Sequence, residues 1–267
     1  MTVKLDGRPL RDFGIELLSP PIHPATPPTH DITLRVPRKD GLYYYDTRYD
    51  ERTFTLECGI IRELDVFDLQ RRLREFAVFL LNERGKPRDI KLTFDYEPDK
   101  YYTVKFRGQI SPDRIFALGS FILTLVADDP YAYSNVSSEE VVWGNSDIDF
   151  MANYTLGHES VQSVQITAPT TVKCSVAGGL IRPTIEIVGT ATSVQMSANN
   201  KSFSLGAFSN ATIMIDGASY NVHKDGVSTL ALMTGDFIEL LNGENTIQIK
   251  GNGMNFKLCV KFRDKYI

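Results

Sequence analysis

The strongest constraint on the fold is an alternation of apolar and polar residues in most segments of the first half of the chain. This period of two is typical of strands with one buried face, because successive side chains point to opposite faces of a sheet. The turn-forming pairs Asp6-Gly7 and Asp40-Gly41 and the triplet Glu97-Pro98-Asp99 separate such segments. The pattern predicts an antiparallel sheet. The alternating apolar positions are Ile32, Leu34 and Val36; Phe54, Leu56 and Cys58; Ile90, Leu92, Phe94 and Tyr96; Tyr102, Val104 and Phe106; and Phe121, Leu123 and Leu125.

One segment has the period of a helix instead. Apolar residues recur there at intervals of three and four, and arginines take the positions between them. Asp65 is placed to cap the start, and Gly85 followed by Pro87 marks the end. These signals predict one amphipathic helix over Val66–Asn82, packed across the sheet.

The second half of the chain differs in composition from the first. Residues 1–134 contain 20 of the 29 Lys and Arg and 21 of the 33 Asp and Glu, and the remaining residues are rich in Ser, Thr, Asn, Gly and Val. We predict a first domain over 1–134, a linker over 135–142 and a two-sheet sandwich over 143–267. The strands predicted for the second half are Val161–Thr167, Thr171–Val176, Thr184–Val188, Ser193–Ser197, Lys201–Leu205, Ala211–Ile215, Ser219–Val222, Phe237–Leu240, Asn245–Ile249 and Asn255–Phe262.

Charge and cysteine content exclude several functional classes. A net charge of -4 does not favour tight binding of nucleic acid, which needs clustered Lys and Arg. The 3 cysteines are odd in number and have no metal-ligand spacing, so neither a disulfide scaffold nor a metal site is expected. The N-terminus does not have the pattern of a secretion signal, and the apolar runs are too short to cross a membrane. No cofactor is expected.

Motifs for catalysis are also missing from the sequence. The 4 histidines form no metal-binding pattern, and neither a nucleophile elbow nor a phosphate-binding loop is present. The acidic pairs Asp128-Asp129 and Glu139-Glu140 are better explained by a turn and a linker than by a glycosidase site. A carbohydrate-binding surface would need exposed aromatic side chains, and we expect most of the rings in the second half to pack in its core. Those rings are Trp143, Phe203, Phe208, Tyr220, Phe237 and Phe256.

Two unusual segments are candidates for contact with another subunit. Four tyrosines, Tyr43, Tyr44, Tyr45 and Tyr49, lie among Arg38, Lys39, Arg48 and Arg52, and Tyr and Arg are both favoured at protein interfaces. Two interpretations stay open: a strand partly buried in its own domain, or a contact with a second chain. The other segment is a proline-rich loop that is unsuited to a central strand and could form a stiff arm or spacer. Its candidate residues are Pro20, Pro21, Pro27 and Pro28.

The order of these features resembles the distal tail protein (Dit) family of long-tailed, non-contractile phages. The resemblance is carried in the first half by Phe13-Gly14-Ile15, the proline-rich loop, Val36-Pro37-Arg38-Lys39-Asp40-Gly41, the helix, and Ala127-Asp128-Asp129-Pro130-Tyr131. Met214-Ile215-Asp216-Gly217 and Leu241-Asn242-Gly243-Glu244-Asn245 extend it through the second half. The sequence departs from the family where Arg38 and Lys39 follow Pro37 without the usual glycine.

The resemblance implies a mainly β fold with one α-helix. Its N-terminal domain would be β-sandwich-like and ring-forming, and its C-terminal domain a galectin-like β-sandwich. It further implies a homo-oligomeric ring of six copies at the tail tip of a virion, assembled in the cytoplasm of the host bacterium. One face of the ring would meet the major tail or tube protein, and the other a tail-associated hub or fibre protein. A neutral or acidic lumen is expected, since a lumen lined by Lys and Arg would retain DNA.

Two other functions stay open. The first is a carbohydrate-binding module that recognises host cell-wall polysaccharide through the second half. The sugar-binding residues of galectins proper, a set of His, Asn, Arg, Trp and Glu on adjacent strands, cannot be assembled from this sequence. The second is a cell-wall hydrolase, which would need carboxylates converging in a cleft.

Overall fold

The computed structural model describes residues 2–60, 66–111, 113–115, 118–137 and 163–267. The sequence predictions for Asp65, Glu139, Glu140, Trp143 and His158, and for residues 138–142 of the linker, lie outside these ranges. The chain forms two compact units: residues 1–132 together with Ile267, and residues 133–266. The described fold is mainly β with one α-helix, as the sequence predicted.

The first unit is built on a curled antiparallel sheet whose strands are ordered β2-β1-β7-β8-β10-β6-β3. Strands β4 and β5 form a separate pair, and β9 pairs with β10. The strands of this unit are β1 (Val3–Leu5), β2 (Arg8–Pro9), β3 (Ile15–Leu17), β4 (Thr29–Leu34), β5 (Tyr43–Tyr49), β6 (Arg52–Ile60), β7 (Ile90–Phe94), β8 (Glu97–Phe106), β9 (Asp113–Ile115) and β10 (Leu118–Ala127).

Alternation predicted the buried faces of the central strands correctly. The even-numbered residues of β6 and β7 and the odd-numbered residues Phe121, Leu123 and Leu125 of β10 are buried. Each buried Leu, Ile or Phe side chain among them stabilises the fold by about 1.5–3 kcal/mol relative to an exposed position. The turn predicted at Glu97-Pro98-Asp99 is wrong: the chain reverses at Asp95-Tyr96, where Phe94 pairs with Glu97, and Glu97-Pro98-Asp99 belongs to β8.

Helix α1 runs from Val66 to Phe79 and ends one turn before the predicted Asn82. Its buried residues, Leu69, Leu73 and Phe76, follow the predicted apolar stripe, and Leu80 just beyond the helix continues it. The stripe contacts the sheet through Phe76, whose ring centroid lies 6.2 Å from that of Phe121 on β10. A 3-10 turn over Leu10–Phe13 packs Phe13 against Phe76 and Phe79.

The second unit is a sandwich of two antiparallel sheets, ordered β12-β22-β14-β17-β18-β19 and β13-β21-β15-β16-β20. Its apolar residues form one continuous core. A 3-10 turn covers Leu230–Leu232. The strands, beginning with β11 at the boundary between the units, are β11 (Ala132–Ser134), β12 (Val164–Ile166), β13 (Thr170–Val176), β14 (Thr184–Ala191), β15 (Ser193–Ala198), β16 (Lys201–Leu205), β17 (Phe208–Asp216), β18 (Asn221–Lys224), β19 (Val227–Ser228), β20 (Met233–Gly235), β21 (Gly243–Asn252), β22 (Asn255–Lys261) and β23 (Lys265–Tyr266).

Most of the predicted sandwich strands are present, and two differ. Phe237–Leu240 is not a strand: only Leu240 makes an isolated bridge, with Ile181, and the strand of this region is β20. The strand predicted at Ser219–Val222 begins at Asn221, because Tyr220 has a left-handed φ of 52° that extends the preceding turn. Tyr220 is also exposed rather than packed in the core.

Candidate interaction surface

The most exposed element of the first unit is a two-stranded ribbon formed by β4 and β5, which we call the arm (residues 29–49). The strands pair from Thr29 with Tyr49 to Leu34 with Tyr43, and the register shifts between Ile32 and Thr33. The amide of Asp50 donates to the carbonyl oxygen of Pro28 (2.9 Å) and closes the base of the ribbon. Among the described strands, β4 and β5 pair only with each other.

The arm exposes its aromatic and aliphatic side chains. Tyr43, Tyr44 and Tyr45 are 46–64% exposed, and Leu34 and Leu42 are also exposed. Of the half-buried strand predicted at Ile32, Leu34 and Val36, only Ile32 is half-buried, and the prediction is wrong for Leu34 and Val36, which no described element of the unit covers. An isolated ribbon of two strands is at best marginally stable in water. The exposed apolar surface has the character of a protein interaction site.

Polar contacts order the arm from within. The hydroxyl groups of Tyr44 and Thr47 lie 2.6 Å apart, and that of Thr47 donates to Asp31 across the two strands (2.5 Å). The ammonium group of Lys39 lies 3.6 Å from the ring centroid of Tyr43. At exposed sites such cation–π contacts contribute about 0.5–1 kcal/mol each. Tyr49, at the base, packs edge-on against Tyr131 of the same unit, with ring centroids 6.0 Å apart.

Arg52 anchors the base of the arm from inside the unit. Its side chain is 1% exposed. The guanidinium donates to the carbonyl oxygen of Pro24, in the loop that leads into the arm, and to that of Pro130 (3.4 Å), which follows β10. The guanidinium carbon lies 4.9 Å from the ring centroid of Tyr102. The sequence alone groups Arg52 with the arginines of a candidate interface. Because side chains of a strand alternate between its two faces, Arg52 lies on the same face of β6 as the buried Phe54 and Leu56. This position in the alternation indicates that Arg52 faces inward.

His23 joins the proline-rich loop to the same anchor. Its Nδ1 lies 2.8 Å from the Tyr96 hydroxyl, its Nε2 lies 3.0 Å from the Tyr102 hydroxyl and 3.3 Å from Nη2 of Arg52, and its ring stacks on Phe94 at 4.5 Å. Burial lowers the pKa of His23, and the Arg52 charge lowers it further. Burial likewise raises the pKa of Tyr96 and of Tyr102 to about 12. The cluster therefore favours neutral histidine and protonated tyrosines.

We expect acid to destabilise the first unit through His23. Because its pKa is lowered in the folded state, the unfolded chain binds the proton first, and stability is lost as the pH falls from the unfolded pKa of about 6.5 toward the folded one. Chemical denaturation between pH 7.5 and 5.5 would measure this loss, and His23→Gln should remove most of it. Replacing the exposed His30 of the arm by Gln should leave the loss intact. A pH dependence equal in all three proteins would contradict the assignment.

The proline-rich loop is pinned to the sheet and is not a free spacer. Ile22 exchanges two backbone hydrogen bonds with Thr55 of β6 (2.9 and 3.3 Å). Pro20 and Pro28 are exposed, Pro21 is half-buried and Pro27 is buried. The ribbon, rather than the loop that leads into it, is therefore the protruding element. Of the predicted prolines, Pro20 and Pro28 are the best placed for contact.

The other chemical groups singled out in the sequence have structural partners or lie in the core. Asp128 forms ion pairs with Lys105 (2.9 Å) and Arg107 (3.3 Å) on the surface. Cys58 and Cys174 are buried, which raises the pKa of the Cys58 thiol to about 12 and of the Cys174 thiol to about 11. Within the described ranges, His, Cys, Asp and Glu form no group of three or more suited to a metal, and no helix is long and apolar enough to cross a membrane.

Comparisons with known proteins agree with the fold. Residues 8–127, within the first unit, match the family described as phage tail protein RIFT-related domain. No curated protein sequence matches the chain significantly. The crystal structure of Dit (gp 19.1) of phage SPP1, described as a paradigm of the hub adsorption apparatus in phages that infect Gram-positive bacteria, is similar over 100% of this chain and 99% of its own. The two have a TM-score of 0.71 and 16% identity.

A chain of the phage p2 baseplate in its activated conformation with Sr is more distant. The aligned region covers 100% of this chain and 99% of the baseplate chain, with a TM-score of 0.46 and 11% sequence identity. The resemblance to distal tail proteins stated from the sequence is confirmed by the family match and by the SPP1 Dit fold.

Proposed function

We propose that this protein is a structural component of a phage tail tip, a distal tail protein whose first unit assembles into a ring of six copies. The match of residues 8–127 to a phage tail domain and the Dit-like fold of the whole chain support a tail-tip role. The single observation that carries the self-assembly is the arm, an ordered ribbon whose aromatic residues are uncovered in the isolated chain.

The physical argument for a ring rests on the asymmetry of the arm. We propose that the arm docks on a different surface of the next copy, which makes the contact head-to-tail rather than the two-fold arm-to-arm contact of a dimer. A head-to-tail contact either closes into a ring or continues as a filament. Tyrosine side chains bring large contact area at low conformational cost, and are therefore suited to such an interface.

The remaining parts of the proposal follow from this ring. One face binds the major tail or tube protein and the other a hub or fibre protein. Residues 143–267 form a separate domain after the linker over 135–142. The ring forms in the bacterial cytoplasm and remains in the virion. The protein acts as an assembly hub and not as an enzyme.

Light scattering of the purified chain tests the ring directly. Six copies of a 30.0 kDa chain give a mass of about 180 kDa. Replacing Tyr43, Tyr44 and Tyr45 together by Ser should shift the mass to that of smaller species, because the variant loses the aromatic contact area of the arm. The side chains are exposed in the single chain, so its fold should be retained, which circular dichroism would verify.

A matched control removes three exposed apolar side chains from the second unit. Replacing Val188, Met214 and Val227 by Ser should leave the ring mass unchanged, since the first unit forms the ring. A wild-type chain that remains monomeric, or an arm variant with the wild-type mass, would contradict the proposal.

A further inference from the structure

Three loops of the second unit converge on one surface of the sandwich. Residues 181–183, which precede β14, meet the loop before β21 through two backbone hydrogen bonds between Ile181 and Leu240 (2.9 and 2.8 Å). The turn after β17 joins them where the amide of Gly217 donates to the carbonyl oxygen of Pro183 (3.2 Å). A Cβ at Gly217 would lie 3.0 Å from that of Arg182, so glycine permits this close approach.

Tyr220 is held outward by this arrangement. Its ring is 51% exposed, and its backbone has the left-handed φ of 52°, which is disfavoured for a bulky residue. Phe237 from the neighbouring loop supports the ring edge-on, with centroids 5.3 Å apart and planes at 90°. Strained backbone of this kind concentrates at functional sites, where the surrounding structure imposes it.

The guanidinium of an arginine–glutamate pair lies over the exposed ring. Nε and Nη2 of Arg182 lie 2.9 and 2.8 Å from Oε1 of Glu239, and the guanidinium carbon lies 5.3 Å from the Tyr220 ring centroid. Both side chains retain access to solvent, at 38% for Arg182 and 23% for Glu239. The surface therefore presents a flat ring, N–H donors and a carboxylate acceptor next to one another.

A buried asparagine makes the surface rigid. Asn245 is 2% exposed, and its Nδ2 donates to the carbonyl oxygens of Leu241 (2.6 Å) and Gly243 (2.9 Å), while its Oδ1 accepts from the Leu241 amide (2.8 Å). Asn199 donates to the Asn245 side chain (2.6 Å) and to the carbonyl oxygen of Glu239 (2.9 Å). The loop that carries Phe237 and Glu239 is thus fixed before any ligand binds, which reduces the cost of binding.

We propose that Arg182, Tyr220, Phe237 and Glu239 form a binding site for a neutral saccharide, which we call the saccharide platform. The apolar face of a pyranose ring stacks on Tyr220, while its hydroxyl groups accept from Arg182 and donate to Glu239. Because Glu239 already neutralises Arg182, the site disfavours phosphate and other anions, which would meet the carboxylate. The expected ligand is an uncharged hexose of a polysaccharide chain.

The test uses the full chain and an array of neutral oligosaccharides built from glucose, galactose, rhamnose or N-acetylglucosamine. A glycan that carries phosphate groups serves as the anionic probe. Wild-type protein should bind at least one neutral oligosaccharide and not the anionic probe. In calorimetry with the best binder, Tyr220→Ala and Arg182→Ala should each weaken the affinity roughly tenfold or more. Tyr220→Phe, which keeps the ring, should bind within about twofold of wild type.

Two controls separate binding from folding. Lys261→Ala removes another ion pair of the same unit, that with Glu186 (3.0 Å), and should leave saccharide affinity unchanged. Melting temperatures should stay within a few degrees for all variants, since Tyr220 and Arg182 are partly exposed. Absence of binding to every neutral oligosaccharide, preference for the anionic probe, or wild-type affinity in Tyr220→Ala would overturn the site. Because the platform lies in the second unit, none of these outcomes affects the ring mass that tests the proposed function.

Discussion

Replacing Phe76 by alanine should lower the free energy of unfolding of the first unit by about 3–5 kcal/mol, the range for large-to-small changes at a fully buried aromatic position. Phe76 is 0% exposed, on the face of α1 that contacts the sheet. Its ring lies 5.4 Å from that of Phe13 and 6.2 Å from that of Phe121. Alanine would therefore leave a cavity between the helix, the 3-10 turn and the sheet.

The same helix provides the matched control. Phe67 is 85% exposed, so Phe67→Ala should change stability by about 0.5 kcal/mol or less. Hydrogen exchange followed by mass spectrometry would measure the two variants and would locate the loss in residues 1–132. Equal effects of the two substitutions would show that α1 does not pack on the sheet through Phe76.

Replacing Arg52 by alanine should lower the free energy of unfolding of the first unit by about 3 kcal/mol, because each hydrogen bond to a buried charged group contributes about 1.5–3 kcal/mol. The substitution leaves the carbonyl oxygens of Pro24 and Pro130 without the guanidinium and removes its packing on Tyr102. Arg52→Met should recover the packing but not the hydrogen bonds, and should fall between alanine and wild type. The base of the arm should also exchange its amide hydrogens faster.

Arg48→Ala is the control for Arg52. The side chain of Arg48 is 72% exposed and forms a surface ion pair with Asp46 (3.5 Å). Its replacement should therefore lower the free energy of unfolding by no more than about 0.5 kcal/mol. Denaturant unfolding would give the free energies. If Arg52→Ala behaved like Arg48→Ala, Arg52 would not be the anchor of the arm.

The candidate surface was only half predictable from the sequence. The tyrosines at 43–45 stand out in the sequence, but two interpretations of them stay open, because alternation indicates that a strand has an apolar face and does not indicate what covers that face. In the fold, β4 and β5 leave the sheet as a separate ribbon, so the same pattern that is buried in β6 is exposed in the arm. Arg52 differs from its neighbouring arginines for a related reason: its residue type is typical of an interface, but its position in the alternation of β6 places it on the buried face.

The saccharide platform could not be found from the sequence at all. Arg182 lies 38 residues before Tyr220, and Tyr220 lies 19 residues before Glu239. Backbone hydrogen bonds of Ile181 and Gly217 help to bring their three loops together. From the sequence, Tyr220 belongs to a set of rings most of which are expected in the core, and a pattern of residue types does not report its left-handed φ. Its exposure results from the turn that Asp216 and Gly217 begin.

The sequence by itself determined the mainly β fold, the position of α1, most strands of the sandwich and the resemblance to distal tail proteins. These properties depend on local periodicity and turn residues, which involve only residues close together in sequence. The tertiary structure alone decided which alternating strands are covered and which are left bare, how His23 and Arg52 fix the base of the arm, and which loops meet. Burial and proximity depend on residues distant in sequence, and a single chain's pattern does not specify those partners.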